Sequence, residues 1–197
     1  ILFIGEAKAR KLIEMGITSV DQLRRNVKKA DLTENQTYAL KYHDDINTKL
    51  TYDQVEHVGH CIINNVILTY DTGNNIALIV GSHRRRKANS SDVDILMTNK
   101  KNNITLNRIV KFLVNSGLII HVFTLGTVKC QAIFDLNFSK RLGGKVVARK
   151  IDIRYIPYED FGVSLQHFTG PDTYNVELRK HAKTMGYTLS EHGLYKL

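Results

Sequence analysis

Residues 80–98 read VGSHRRRKANSSDVDILMT, and this stretch decides the fold. An apolar run over 76–80 stops at Gly81-Ser82, a basic polar loop follows, and Asp92-Val93-Asp94 opens a second apolar run over 95–97. Two strands joined in this way bring Gly81, Ser82 and both aspartates to one end of a sheet. Residues i and i+2 of a strand face the same way, so Asp92 and Asp94 point together while Val93 packs behind them. Paired carboxylates repel unless a cation lies between them, and magnesium with oxygen ligands is the ordinary answer. Gly81 and Ser82 add backbone N–H groups and a hydroxyl, and Arg84, Arg85, Arg86 and Lys87 add positive charge. A phosphate site beside a metal site asks for a nucleoside triphosphate. Alone, Asp-x-Asp is common in solvated loops and an RRRK run is usually a wet surface; it is their order between two strands that carries the reading.

The rest of the chain sets the context. At 197 residues it is long enough for a substantial core. No run of eighteen apolar residues and no signal-peptide pattern occurs, which points away from membrane insertion and secretion. Cys61 and Cys130 are far apart and read as free thiols. The net charge of +9 points to a polyanionic partner, nucleic acid first. Both ends are abrupt, as expected of a fragment of something longer.

Along the chain, a helix is expected over 6–15, ended by Gly16, and a second from Thr18 or Ser19. The pair reads as a helix-hairpin-helix, or as an ordinary helical corner. Thr33 to Gln36 and Thr51 to Gln54 match the capping-box pattern and start two more helices, the second reaching about residue 70. His57, His60 and Cys61 on that helix lack a matching ligand pair elsewhere and read as helix surface. A turn is expected over 71–75, a helix over 105–116, and strands over 118–125, 128–136 and 146–156. In the last strand Lys150, Asp152 and Arg154 share one face. Asp152 is either half of an edge-strand ion pair with Arg154 or a third carboxylate beside Asp92 and Asp94. Residues 169–171 read as a turn, 172–185 as a helix, and 187–189 as a short strand.

Three blocks, GSHRRRKANSSDVDIL, RKIDIRYIP and HFTGPDTYNVELRKHAKTMGYTLSEHGLYKL, together with the first 26 residues, resemble the family X DNA polymerases, of the polymerase beta type. The resemblance covers nearly the whole chain in the right order. It implies an α+β fold: a helical helix-hairpin-helix DNA-binding subdomain over 1–72, a mostly antiparallel nucleotidyltransferase palm over 73–160, and a truncated nucleotide-selecting subdomain over 161–197. The implied function is template-directed addition of dNTPs to a primer 3′-hydroxyl at short gaps in DNA repair, including base excision repair.

Carried onto this sequence, the resemblance makes Asp92, Asp94 and Asp152 the catalytic carboxylates and the ligands of two Mg²⁺ ions, for which Mn²⁺ substitutes. Gly81, Ser82, Arg85, Ser90 and Ser91 would hold the triphosphate. His167, Phe168, Thr169 and Gly170 would lie against the sugar, Asp172 against the base, and Asn175 near the nascent pair. Gly5, Ala7, Lys8, Lys150, Arg154 and Arg179 would contact DNA, and carbonyls at Ile1 and Ile4 would bind a monovalent cation at the hairpin. The implied partners are gapped or primed double-stranded DNA and a dNTP. The protein is expected to be a monomer, away from membranes, in a nucleus or another DNA-containing compartment, viral ones included.

Departures from the family pattern are Ser91 for a glycine, Lys150 for an arginine, His167 for a tyrosine, and His192 for a template-side tyrosine; Pro171 stiffens the turn. The amino-terminal lyase domain has no counterpart, so lyase activity is not implied. Two other readings share these residues: a template-independent terminal transferase, and a DNA-binding fragment without activity.

Overall fold

A computed structural model describes residues 1–70, 73–138 and 146–197. They form two compact units, Ile1–Thr48 and Lys49–Leu197.

In the first unit, α1 (Glu6–Glu14) ends where Gly16 takes φ 79°. There the Gly16 N–H donates to the Ile13 carbonyl and the Ile17 N–H to that of Leu12. The Ser19 hydroxyl caps α2 (Val20–Arg25), accepting from the Gln22 N–H at 3.2 Å. Two short helices, α3 (Val27–Ala30) and α5 (His43–Asn47), flank α4 (Glu34–Lys41), whose Thr33/Gln36 capping box is formed. Leu12, Ile17, Leu23, Ala30 and Leu40 make the core. The turn around Gly16 is thus closed by Leu12 and Ile17 packing under Leu23.

The second unit runs β1 (Leu50–Thr51), α6 (Tyr52–Thr69), β2 (Asn75–Ile79), α7 (Gly81–Arg84), β3 (Asn89–Ser90), β4 (Val93–Asn99), α8 (Leu106–Asn115), β5 (Ile119–Leu125), β6 (Lys129–Asp135) and β7 (Ala148–Tyr155). It closes with α9 (Phe161–Thr169), α10 (Asp172–Thr184) and the hairpin of β8 (Tyr187–Ser190) with β9 (Gly193–Lys196). The turn expected over 71–75 lies partly outside the described residues, which omit 71 and 72.

The main sheet has the order β2-β4-β7-β6-β5. Its pairings are antiparallel except β4 with β7, which is parallel. One face is buried under α6 and α8. Val55, Val58, Ile62 and Val66 of α6 and Leu106, Ile109, Val110 and Leu113 of α8 pack on Val93, Ile95, Ile151 and Ile153. Each such side chain taken fully from water stabilises the fold by about 1.5–3 kcal/mol. Gly59 lets α6 lie close on β2, because a Cβ there would overlap the Ile79 side chain. This packing places α6 with the sheet. The first unit therefore closes at Thr48, whereas the helical subdomain expected from the sequence runs to residue 72.

The opposite face carries Asp94, Lys150, Asp152 and Arg154, each partly exposed. A second cluster covers part of it, with Val80, Leu96 and Ile156 meeting Phe161, Leu165 and Phe168 of α9. Residues 161–168, for which no element was expected, are helical, and the turn expected over 169–171 loses Thr169 to the helix and centres on Gly170, at φ 64°. Phe161, Leu165 and Phe168 recur at i, i+4 and i+7, the spacing of a buried helical stripe. The loop expected after Gly81 likewise begins as the single turn of α7. Among the described residues no helix is long and apolar enough to cross a membrane.

Candidate active site

Parallel pairing sets Asp94 of β4 opposite Asp152 of β7. Antiparallel pairing then sets Gln131 of β6 opposite Asp152, and Thr124 of β5 opposite Gln131. Thr124, Gln131, Asp152 and Asp94 thus form one row across four strands. Residues paired in register project to the same side, so all four side chains share the face away from α6 and α8. Asp92 lies just before β4, two residues from Asp94.

Electrostatics ties the three aspartates together. Burial first, and then the charges of Asp92 and Asp152, push the Asp94 carboxyl up to about 7 against the opposing pull of Arg154 and Arg85. Burial also raises Asp92, with Lys150 opposing and Asp152 adding to the shift. Three carboxylates held this way form a site that a cation would relieve. Among the described residues no three His, Cys, Asp or Glu side chains form a ready-made cage for a metal. Magnesium does not need one, since it keeps water and takes substrate phosphate oxygens beside one or two carboxylates. The all-oxygen donor set of Asp92, Asp94 and Asp152 therefore fits it.

The edge-strand reading of Asp152 does not hold, because β7 lies in the middle of the sheet. The ionic partner of Asp152 is Lys129, with Nζ 3.6 Å from Oδ2. The Gln131 amide donates to the same oxygen at 3.4 Å. Arg154 instead lies over the Phe168 ring, 4.5 Å from its centroid. Lys129 and Gln131 were not singled out from the sequence. Their alternation with buried Cys130 and Ala132 was visible, but their place beside Asp152 depends on strand register.

Gly81 adopts φ 61°, and a Cβ on it would come within 2.9 Å of the Asp94 carboxyl carbon. The Ser82 hydroxyl donates to that of Ser90 at 2.6 Å. Ser90 is buried, and Ser91, the departure from the family glycine, is exposed. Arg85 donates from Nη1 to the Thr169 carbonyl at 2.5 Å, which draws the phosphate-binding candidates against 167–170. Its buried Nε has no hydrogen-bond partner among the described residues. Gly170 passes so close that a Cβ would be 3.0 Å from Arg85 Nη1.

His167 meets Phe168 edge-on, with ring centroids 4.8 Å apart. Its carbonyl accepts from the Asn175 side chain at 2.7 Å, and Arg179 Nη2 lies 3.4 Å from its Nδ1. Burial lowers the His167 pKa, Glu191 opposes the shift, and Arg179 adds to it. Asp172 opens α10 and is exposed, after a cis Gly170–Pro171 bond. Lys150 and Arg154 flank Asp152 on the open face of β7.

In the other unit, Gly5 precedes α1 without a side-chain cap, and Ala7 and Lys8 lie in its first turn. The Lys8 ammonium donates to the Asp31 carbonyl at 2.7 Å. The Ile1 carbonyl accepts from the Ile4 N–H at 3.1 Å. On α6, His60 approaches Glu56 at 3.9 Å, consistent with a helix surface.

Comparison with known proteins finds three family matches along the chain. Residues 49–158 match the family described as the DNA polymerase beta palm, 1–47 the fingers domain of DNA polymerase lambda, and 164–197 the DNA polymerase beta thumb. DNA polymerase lambda of Arabidopsis thaliana is 29% identical over 200 residues, 98% of this chain and 37% of the relative. That of Rattus norvegicus is 26% identical over 193 residues, 96% of this chain and 33% of the relative. DNA nucleotidylexotransferase of Xenopus laevis is 26% identical over 228 residues, 98% of this chain and 44% of the relative. The chain therefore spans less than half the length of each of these relatives.

Proposed function

The chain belongs to the family X DNA polymerases, and on that footing we propose that it adds dNTPs, directed by a template, to a primer 3′-hydroxyl at short gaps during DNA repair. The observation that carries this reading is the in-register pair Asp94 and Asp152, with Asp92 beside them and Gly81 pressed against Asp94.

In this reading Asp92, Asp94 and Asp152 hold two magnesium ions, or manganese in their place. When bound, the metal lowers the pKa of the 3′-hydroxyl and offsets charge on the triphosphate. Asp152 would accept the proton of the primer 3′-hydroxyl as its oxygen bonds the α-phosphorus and pyrophosphate leaves. Ser82, Ser90, the Ser91 backbone and the Arg85 guanidinium grip the β- and γ-phosphates, and Gly81 gives them room. The 167–170 backbone faces the sugar and excludes a ribose 2′-hydroxyl. Asp172 lies against the base, and Asn175 and Arg179 reach the minor groove. Lys150 and Arg154 meet DNA near the primer end. Gly5, Ala7 and Lys8 meet the primer backbone, where Ile1 and Ile4 carbonyls hold a monovalent cation. For Lys8 this requires exchanging the Asp31 carbonyl for a phosphate. The protein acts as a monomer in a DNA-containing compartment.

The test is primer extension on a one-nucleotide-gapped duplex with magnesium and each dNTP singly, with Asp152→Ala as control. Addition of the templated base alone, lost in the control, is the expected result. The similarity to a DNA nucleotidylexotransferase favours a second reading, template-independent addition, and incorporation of any base would establish it instead. Salt-sensitive DNA binding without extension would leave a binding fragment.

A further inference from the structure

We infer that β6 supplies the positioning residues for Asp152: Gln131 and Lys129 hold one of its carboxylate oxygens and leave the other free to face the metal and the primer hydroxyl. This rests on the polymerase reading above and adds a division of labour between the two oxygens.

Both side chains converge on Oδ2 of Asp152, the Gln131 amide at 3.4 Å and the Lys129 ammonium at 3.6 Å. They leave β6 two residues apart and so on one face, which strand pairing sets beside β7. Gln131 is itself oriented, since the Thr124 hydroxyl lies 3.3 Å from its Oε1. A carboxamide has one donor end and one acceptor end. With Oε1 taken by a hydroxyl proton, Nε2 must face the carboxylate; the reverse orientation would set oxygen against oxygen. A relay therefore crosses three strands, from Thr124 through Gln131 to Asp152. It ends on the carboxylate whose orientation matters most, since an acceptor must lie within hydrogen-bond reach of the proton it takes. Lys129 adds an ionic contact to the same oxygen. Neither β6 side chain touches the residues assigned to the nucleotide, so losing them should change the chemical step and spare dNTP binding.

The experiment is single-turnover insertion on a one-nucleotide-gapped duplex, comparing wild type with Gln131→Met, Thr124→Val, the double variant, Lys129→Met and Lys129→Arg. Gln131→Met is expected to lower the maximal rate about tenfold, while KM for dNTP stays within about twofold. Thr124→Val acts only through Gln131 and is expected to cost about threefold alone and nothing further in the Gln131→Met background. Lys129→Met slows insertion and Lys129→Arg restores it. Thr124 is exposed, so its substitution reports on the relay without endangering the fold. An unchanged maximal rate in Gln131→Met, an effect confined to KM, or multiplying losses in the double variant would overturn the inference. Those outcomes, with an active wild type and a dead Asp152→Ala, would leave the polymerase reading standing. An inactive wild type would remove both.

Discussion

Gly81 lies directly against the carboxylate of Asp94, and its φ of 61° belongs to the left-handed region that side chains avoid. Sterics and backbone therefore both demand glycine here. Gly81→Ala must either strain α7 or push Asp94 out of its row with Asp152. Strain of this kind costs about 1–3 kcal/mol, and a displacement of about 1 Å costs on the order of 100-fold in rate. Thermal melting and single-turnover insertion, measured on the same preparation, should both report the loss.

Asp94 is held in a buried place and among like charges, at the expense of the fold. Asp94→Asn removes the repulsion from Asp92 and Asp152 while keeping the shape. In EDTA at neutral pH it should melt higher than wild type, by about 1–3 kcal/mol of stability, and should be inactive. Magnesium should raise the melting temperature of wild type, because it binds the folded state alone, and should raise that of the variant far less. A variant no more stable than wild type in EDTA would mean that the three carboxylates are not in conflict.

His83 gives the fold an acid-sensitive point. Its ring stacks on Tyr52 with centroids 4.1 Å apart, and its buried Nε2 has no hydrogen-bond partner among the described residues. Burial lowers its pKa, Glu56 opposes the shift, and His60 adds to it. The unfolded chain, with an ordinary histidine near 6.5, then binds the proton more readily than the folded one. This contribution is complete above that value and is lost as the pH falls through it toward the lower folded value. His83→Phe keeps an aromatic face on Tyr52 and cannot be protonated. Its melting temperature should fall less than that of wild type between about pH 6.5 and 5.

Arg85 joins the end of α7 to the end of α9 through the Thr169 carbonyl, and the proposed function sets triphosphate on one side of it and sugar on the other. Lysine keeps the charge and loses the planar fork. Arg85→Lys should raise KM for dNTP about tenfold, within the range expected for a charged hydrogen bond, and lower the maximal rate less. Steady-state insertion across dNTP concentrations separates the two.

How far the site could be read without coordinates depended on how local each relationship was. Asp92 and Asp94 are two residues apart, and period-two spacing was enough to pair them as candidates, although Asp92 falls in the bend just before β4. The capping boxes at Thr33 and Thr51 were equally legible, since each closes within four residues. The stripe of Phe161, Leu165 and Phe168 was present but overshadowed by the Thr-Gly-Pro turn that follows, so α9 appeared only in three dimensions. Helix α6 has capping and periodicity suited to either unit; its packing on β2 and β4, aided by Gly59, settles where it belongs.

The sequence by itself determined the pair of strands around Gly81, the three aspartates as candidates, the helical character of residues 1–48 and the α+β class. Each of these rests on spacing along the chain or on whole blocks that resemble a family. Only the tertiary structure decided that β7 is a central strand running parallel to β4, that Asp152 meets Lys129 and Gln131 rather than Arg154, and that Arg85 reaches Thr169. These are choices of strand order and register between segments that are distant in sequence. They follow from how whole faces bury against one another, which no local pattern encodes.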